Sequence, residues 1–113
     1  MCSSDLDAAL RAAFAGVRLV NFGHLGDGNL HYNVQCPPGA EAADFLAHHE
    51  AAVNRIVYDA VQAAGGSISA EHGIGALKRD ELVLRKSPVA LGLMRAIKQA
   101  LDPQGRLNPG RVV

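Results

Sequence analysis

Tryptophan is absent from this 113-residue chain, and only three Phe and two Tyr are present. Aromatic residues are thus scarce, yet apolar residues make up 49% of the sequence, enough to build a real core in one compact domain. Neither sign of charge is in excess: eleven basic and eleven acidic side chains cancel. A neutral balance gives no electrostatic reason to expect nucleic acid or an anionic membrane as partner. No apolar run is long enough to span a bilayer, and no apolar stretch of the signal-peptide kind follows the start. Cys2 and Cys36 are too few for a disulfide framework, which leaves two reduced thiols in a cytosolic protein as the expectation.

The first six residues, MCSSDL, differ in character from the alanine-rich segment that follows. They are similar to the translation of a sequencing-adapter end with a GTG read as the start. The expectation is a non-native start over residues 1–6. Residues 7–113 then form one domain, the C-terminal piece of a longer protein.

Residues 5–15 (DLDAALRAAFA) are good helix formers. VRLVNF, residues 17–22, reads as a strand from its β-branched and aromatic content. LHYNVQ, residues 30–35, alternates apolar with polar side chains, as a half-buried strand does. The clearest helix covers residues 41–64, with Phe45, His49, Val53, Ile56, Val57 and Ala60 at helical spacing and Gly65-Gly66 as its stop. SISA, residues 67–70, is expected as a short strand, and residues 78–85 as a short helix. Ser87-Pro88 reads as an N-cap with proline in the first helical position. Ala90, Met94, Ile97 and Leu101 form the apolar stripe of the last helix, which Asp102-Pro103 ends. This order predicts an α+β fold, an antiparallel sheet with helices packed on one face.

Chemistry concentrates in two stretches. In GHLGDGNLH, Asp27-Gly28 is a favoured pair for a two-residue hairpin turn. That turn pairs Gly26 with Asn29, Leu25 with Leu30 and His24 with His31. Directly opposed side chains have Cβ atoms roughly 5 Å apart, close enough for two imidazoles to share one metal ion. Asn33, two residues past His31, points to the same face. Two solvated histidines on a hairpin fit the same pattern, and hairpin geometry alone weighs the two readings evenly. In SAEHGIG, residues 69–75, Glu71 and His72 are followed by two glycines, which permit the tight backbone that would aim both at one site. Two His with a carboxylate suit a divalent metal with open positions, leaving His72 as a base. Taken alone, the Glu71-His72 pair reads better as an ordinary turn. Gly23 to Gly28 does not lie between strand and helix, which argues against a dinucleotide fingerprint. His48, His49 and Glu50 fall inside the long helix as surface and boundary positions. Lys78 and Arg79 read as solvated cations, and Cys36 carries no activation signal.

Three separated segments, GHLGDGNLHYNV, GGSISAEHGIGALKRDEL and MRAIKQALDPQGRLNPGRV, occur in this order. Together they resemble the C-terminal domain of the FAD-linked oxidases of the vanillyl-alcohol oxidase type, from about Val17 to the end. Within that group the chain is most similar to the D-2-hydroxyacid dehydrogenases: D-2-hydroxyglutarate dehydrogenase, D-lactate dehydrogenase and the flavin subunit of glycolate oxidase. The resemblance implies a ferredoxin-like α+β domain at the C-terminal end of a larger enzyme. It implies His24, His31 and Glu71 as ligands of a divalent metal, usually zinc, His72 as the base beside the flavin, and Asn33 as a substrate contact. Asn108 of the tail motif would approach the flavin. Arg111 stands where the family often has lysine, and both are cationic. FAD in the family is held mainly by an N-terminal domain, so the chain alone is not expected to hold it tightly.

The chemistry fits these residue types. Oxidising a 2-hydroxy acid removes a hydroxyl proton and a hydride. A metal orients the acid and lowers the hydroxyl pKa, an imidazole takes the proton, and a flavin accepts the hydride. The implied partners are a small 2-hydroxy acid and an unassigned electron acceptor, with no nucleic acid and no transmembrane segment; a homodimer is left open. The expected location is the bacterial cytoplasm, with any membrane association made through the electron acceptor. Two other classes compete: a metal hydrolase built on the same His/His/Glu set, and a non-catalytic ferredoxin-like module. The tail motif, which a hydrolase has no reason to carry, speaks for the first reading.

Overall fold

The computed structural model describes residues 3–113. Met1 and Cys2, and with them the start of the adapter-like segment and one of the two thiols, lie outside the described residues. The chain divides into two units, Met1–Ser67 and Ile68–Val113.

In the first unit, helix α1 (Ser3–Ala13) leads into strand β1 (Arg18–His24), strand β2 (Asn29–Gln35) and the long helix α2 (Ala42–Ala63). The two strands pair antiparallel as a two-stranded sheet. Such a sheet is marginal in water unless something covers a face, and here the helices do. Leu6 and Leu10 stand one turn apart on α1 and are buried with Val53 of α2. Leu19, Tyr32 and Val34 on the sheet, and Ile56, Val57 and Ala60 on α2, pack against them. Strand alternation therefore turns Leu19, Asn21, Tyr32 and Val34 toward the helices and leaves Val20, Phe22, His31 and Asn33 on the opposite face. Leu6 belongs to the six residues expected to be foreign, yet it is buried in this cluster. A polar clasp reinforces the packing: the Tyr32 hydroxyl donates to the Asp7 carboxylate of α1, and Asn21 Nδ2 donates to the same oxygen at 3.1 Å.

The predicted stop of α2 forms as a Schellman motif. Gly66 N–H donates to Val61 O and Gly65 N–H to Gln62 O, both at 2.9 Å, with Gly65 at φ 70, where a Cβ is unfavourable.

The second unit holds helices α3 (Arg79–Arg85) and α4 (Pro88–Leu101). The predicted cap is present: Ser87 Oγ accepts from Ala90 N–H at 3.2 Å, with Pro88 behind it in the first turn. Three expectations are corrected here. SISA forms no strand; the described residues contain two strands, and the Ile68 carbonyl accepts instead from Lys78 Nζ at 3.1 Å. Lys78 is thus half-buried and engaged, not the solvated cation expected. The stripe of α4 is also split. Ala90 and Met94 are half-buried beside the buried Leu91, but Ile97 and Leu101 join Val89 and Leu93 in an outer row that is 60–76% exposed. The apolar residues of α4 cover more of its circumference than one packing face uses.

Candidate functional site

The hairpin that carries both predicted histidines closes with a longer turn than Asp27-Gly28 alone. Leu25–Asp27 forms a single 3₁₀ turn, Gly28 follows at φ 62, and Gly28 N–H donates to Leu25 O at 3.3 Å. Residues 25–28 all belong to the loop, so the register shifts by two from the predicted one: His24 pairs with Asn29, Gly23 with Leu30 and Phe22 with His31. A shift of two preserves the side-chain face, because strand alternation has period two. His24 and His31 therefore share a face as diagonal neighbours, not as an opposed pair. Diagonal neighbours remain within reach of ring side chains, and the two ring centroids are 6.0 Å apart at an interplanar angle of 74°.

The positions around them explain why this stretch folds so. At Gly23 a Cβ would fall 2.0 Å from Asn29 O, so the strands approach too closely there for any side chain. Phe22 stacks on its cross-strand partner His31, centroids 4.7 Å apart and planes 10° from parallel. Phe22 carries no polar group and escaped sequence reading, although it lies two residues before His24 and so on its face. Stacking holds His31 half-buried while His24 stays exposed. Asn33 is on the same face, its Nδ2 donating to Val20 O of its pair partner at 3.1 Å. On the inner face, burial first and the neighbouring Asp7 carboxylate second push the Tyr32 phenol up to about 12. His24, His31 and Asn33 are thus brought together, on a sheet whose other side is anchored.

Glu71 and His72 lie in the second unit, in an irregular and exposed stretch between Ile68 and α3. Two anchors shape that stretch. Lys78 holds its start through Ile68 O, and its far end, Gly75 O, accepts from Val112 N–H of the tail at 2.9 Å. The EHGIG and NPGRV segments are therefore joined directly by a backbone hydrogen bond. Asn108 is exposed at φ 46, a left-handed conformation that Asn tolerates better than most side chains. The turn before it is built by Asp102, whose carboxyl group is held below the usual carboxylate range chiefly by the Lys98 ammonium, with the Leu107 and Arg106 amides adding to it. The sequence marks Asp102 only as the end of α4 and Lys98 not at all, although their i,i+4 spacing at a helix end is a readable signal.

Residues 2–112 match the family model described as FAD linked oxidases, C-terminal domain. The chain belongs to this family. Among relatives, this FAD-linked oxidase domain is 42% identical over 108 residues to D-2-hydroxyglutarate dehydrogenase of Stutzerimonas stutzeri, covering 96% of the chain and 23% of the relative. It is 44% identical over 109 residues to the enzyme of that name from Xanthomonas citri pv. viticola, with the same coverages. Against the mitochondrial D-2-hydroxyglutarate dehydrogenase of Bos taurus it is 44% identical over 111 residues, 96% of the chain and 19% of the relative. The domain thus spans less than a quarter of the length of these curated relatives. No helix among its described residues is long and apolar enough to cross a membrane.

Proposed function

We propose that this chain is the substrate-side domain of a flavin-dependent dehydrogenase that oxidises a D-2-hydroxy acid to the 2-oxo acid, with D-2-hydroxyglutarate the favoured substrate. The observation that carries this reading is the 42% and 44% identity to bacterial D-2-hydroxyglutarate dehydrogenases over 96% of the chain. A second support is chemical. Two imidazoles on neighbouring positions of one anchored hairpin face suit a divalent cation that prefers nitrogen and oxygen donors. In this reading His24 and His31 hold the cation together with the Glu71 carboxylate. When bound, such an ion supplies Lewis-acid polarisation of the substrate oxygens, and FAD supplies the hydride acceptor that protein side chains lack.

The chain's own residues do the rest. His72 takes the hydroxyl proton at an imidazole nitrogen, as the general base. Asn33, fixed by its bond to Val20 O, orients the acid through its amide. Asn108 is presented toward the flavin by the tail. A cytoplasmic location, with electrons passed to an acceptor outside this chain, completes the proposal.

The test is dye reduction by the full-length gene product with D-2-hydroxyglutarate, D-lactate and glycolate, before and after chelation. The expected result is highest kcat/KM for D-2-hydroxyglutarate and loss of rate on chelation, restored by Zn²⁺. A preference for D-lactate or glycolate overturns the substrate assignment. No reduction with any of the three overturns the dehydrogenase reading, and indifference to chelation overturns the metal.

A further inference from the structure

Asp102 is the one buried polar or charged side chain among the described residues, 7% exposed, and no step above uses it. It sits immediately after α4 and turns its carboxylate forward along the chain. Oδ1 accepts from Arg106 N–H at 2.8 Å, and Oδ2 accepts from Leu107 N–H at 2.9 Å and from Lys98 Nζ at 2.5 Å. The same ammonium donates to Leu107 O. Carboxylate and ammonium together therefore satisfy three backbone groups in the two residues that precede Asn108.

Beyond this clamp the chain enters a conformation that it would not choose alone. Asn108 and Val112 have φ of 46 and 65, where a Cβ crowds the following carbonyl. Such backbone persists only where the surroundings over-determine it. Here the surroundings are two fixed points: the Asp102–Lys98 pair at residues 106–107, and Gly75 O, which accepts from Val112 N–H. Asn108 lies between them. An ion pair used on loop amides, when water could serve an exposed loop equally well, marks a turn whose shape is held for use.

We propose that Asp102, held by Lys98, is a positioning residue that sets the left-handed turn at Asn108 and thereby aims its side-chain amide. The inference rests on the reading in which Asn108 faces the flavin, but its test does not need flavin. Amide exchange and the three-bond HN–Hα coupling of Asn108 are measured by NMR on the 113-residue chain and on Asp102→Ala, Asp102→Asn and Lys98→Met.

In Asp102→Ala the amides of Arg106, Leu107, Arg111 and Val112 are expected to lose protection by roughly tenfold or more, as loss of charge-assisted bonds implies. The Asn108 coupling moves toward a conformational average, while α4 amides from Leu91 to Ile97 keep their protection. Asp102→Asn retains one carbonyl acceptor and restores part of the order, a graded rescue that a generally destabilised fold does not give. Unchanged tail protection in Asp102→Ala overturns the proposal, as does equal loss throughout the second unit. Should Asp102→Ala not fold, Asp102→Asn and Lys98→Met decide: a tail as ordered as wild type in both overturns it. Failure of the flavin reading shows separately, as an Asn108→Ala full-length protein that retains its FAD and its full rate.

Discussion

His24 and His72 separate two roles that a single loss of activity would merge. In the full-length protein, His24→Ala is expected to lose metal before anything else, read by elemental analysis of the purified variant. His72→Ala should keep its metal and reduce dye more slowly by roughly 10²–10⁴-fold, the usual share of a positioned acid or base. Full metal content in His24→Ala would sink the ligand assignment. Tyr32 gives a test on the folded chain itself. Its phenol is pushed up to about 12, against about 10 in an unfolded chain. The neutral form is therefore the one favoured by folding. Its contribution is complete below pH about 10 and is lost as pH rises toward 12. Phenolate absorbance should show one tyrosine titrating late, and Asp7→Asn should lower that step without returning it to 10, because burial is the larger cause. A Tyr32 step at 10 in the wild-type chain would contradict the clasp to α1.

At the scale of elements, the hairpin shows why a wrong register still located the right face. The turn takes four residues instead of two, and an even slip keeps every side chain on its side of the sheet. An odd slip would have sent His24 and His31 to opposite faces. Helix α4 shows the converse: its periodicity was legible, but which part of a wide apolar arc packs was not. Leu91 is 6% exposed and Leu93 is 62% exposed, although both are leucines in one helix. Leu91→Ala should cost about 2–5 kcal/mol by the combined loss of burial and packing. Leu93→Ala should stay within about 0.5 kcal/mol in this chain. Urea denaturation of the two variants checks the pair, and equal losses would mean that the outer row of α4 is covered in solution.

At the scale of the whole molecule, the two units draw their stability from different sources. The first rests on Leu6, Leu10 and Val53 beneath the sheet. The second has few buried apolar side chains, Leu82 and Leu91, and leans on the buried Asp102 with its Lys98 partner. The Asp102 carboxyl group is held below its ordinary value. Its contribution is therefore present above about pH 4, the unfolded carboxylate value, and is lost as pH falls through its folded value. Acid titration followed by NMR should accordingly disturb the amides of Arg106 and Leu107 before those of α1, and a simultaneous change would argue against the clamp as their anchor.

Local rules by themselves determined the helices, the two hairpin strands, the Ser87 cap and the Gly65-Gly66 stop, because each depends on residues within a few positions of one another. They also determined that His24, His31 and Asn33 share a face, since that needs only a hairpin and a period of two. The tertiary structure decided what depends on a neighbour. SISA forms no strand and stays irregular. Phe22 matters because the observed register lays it on His31. Asp102 is buried because the turn after α4 folds its amides back onto the carboxylate. Sequence spacing says which groups can meet; only packing decides which of them lose water, and that loss makes a hydrogen bond or an ion pair matter.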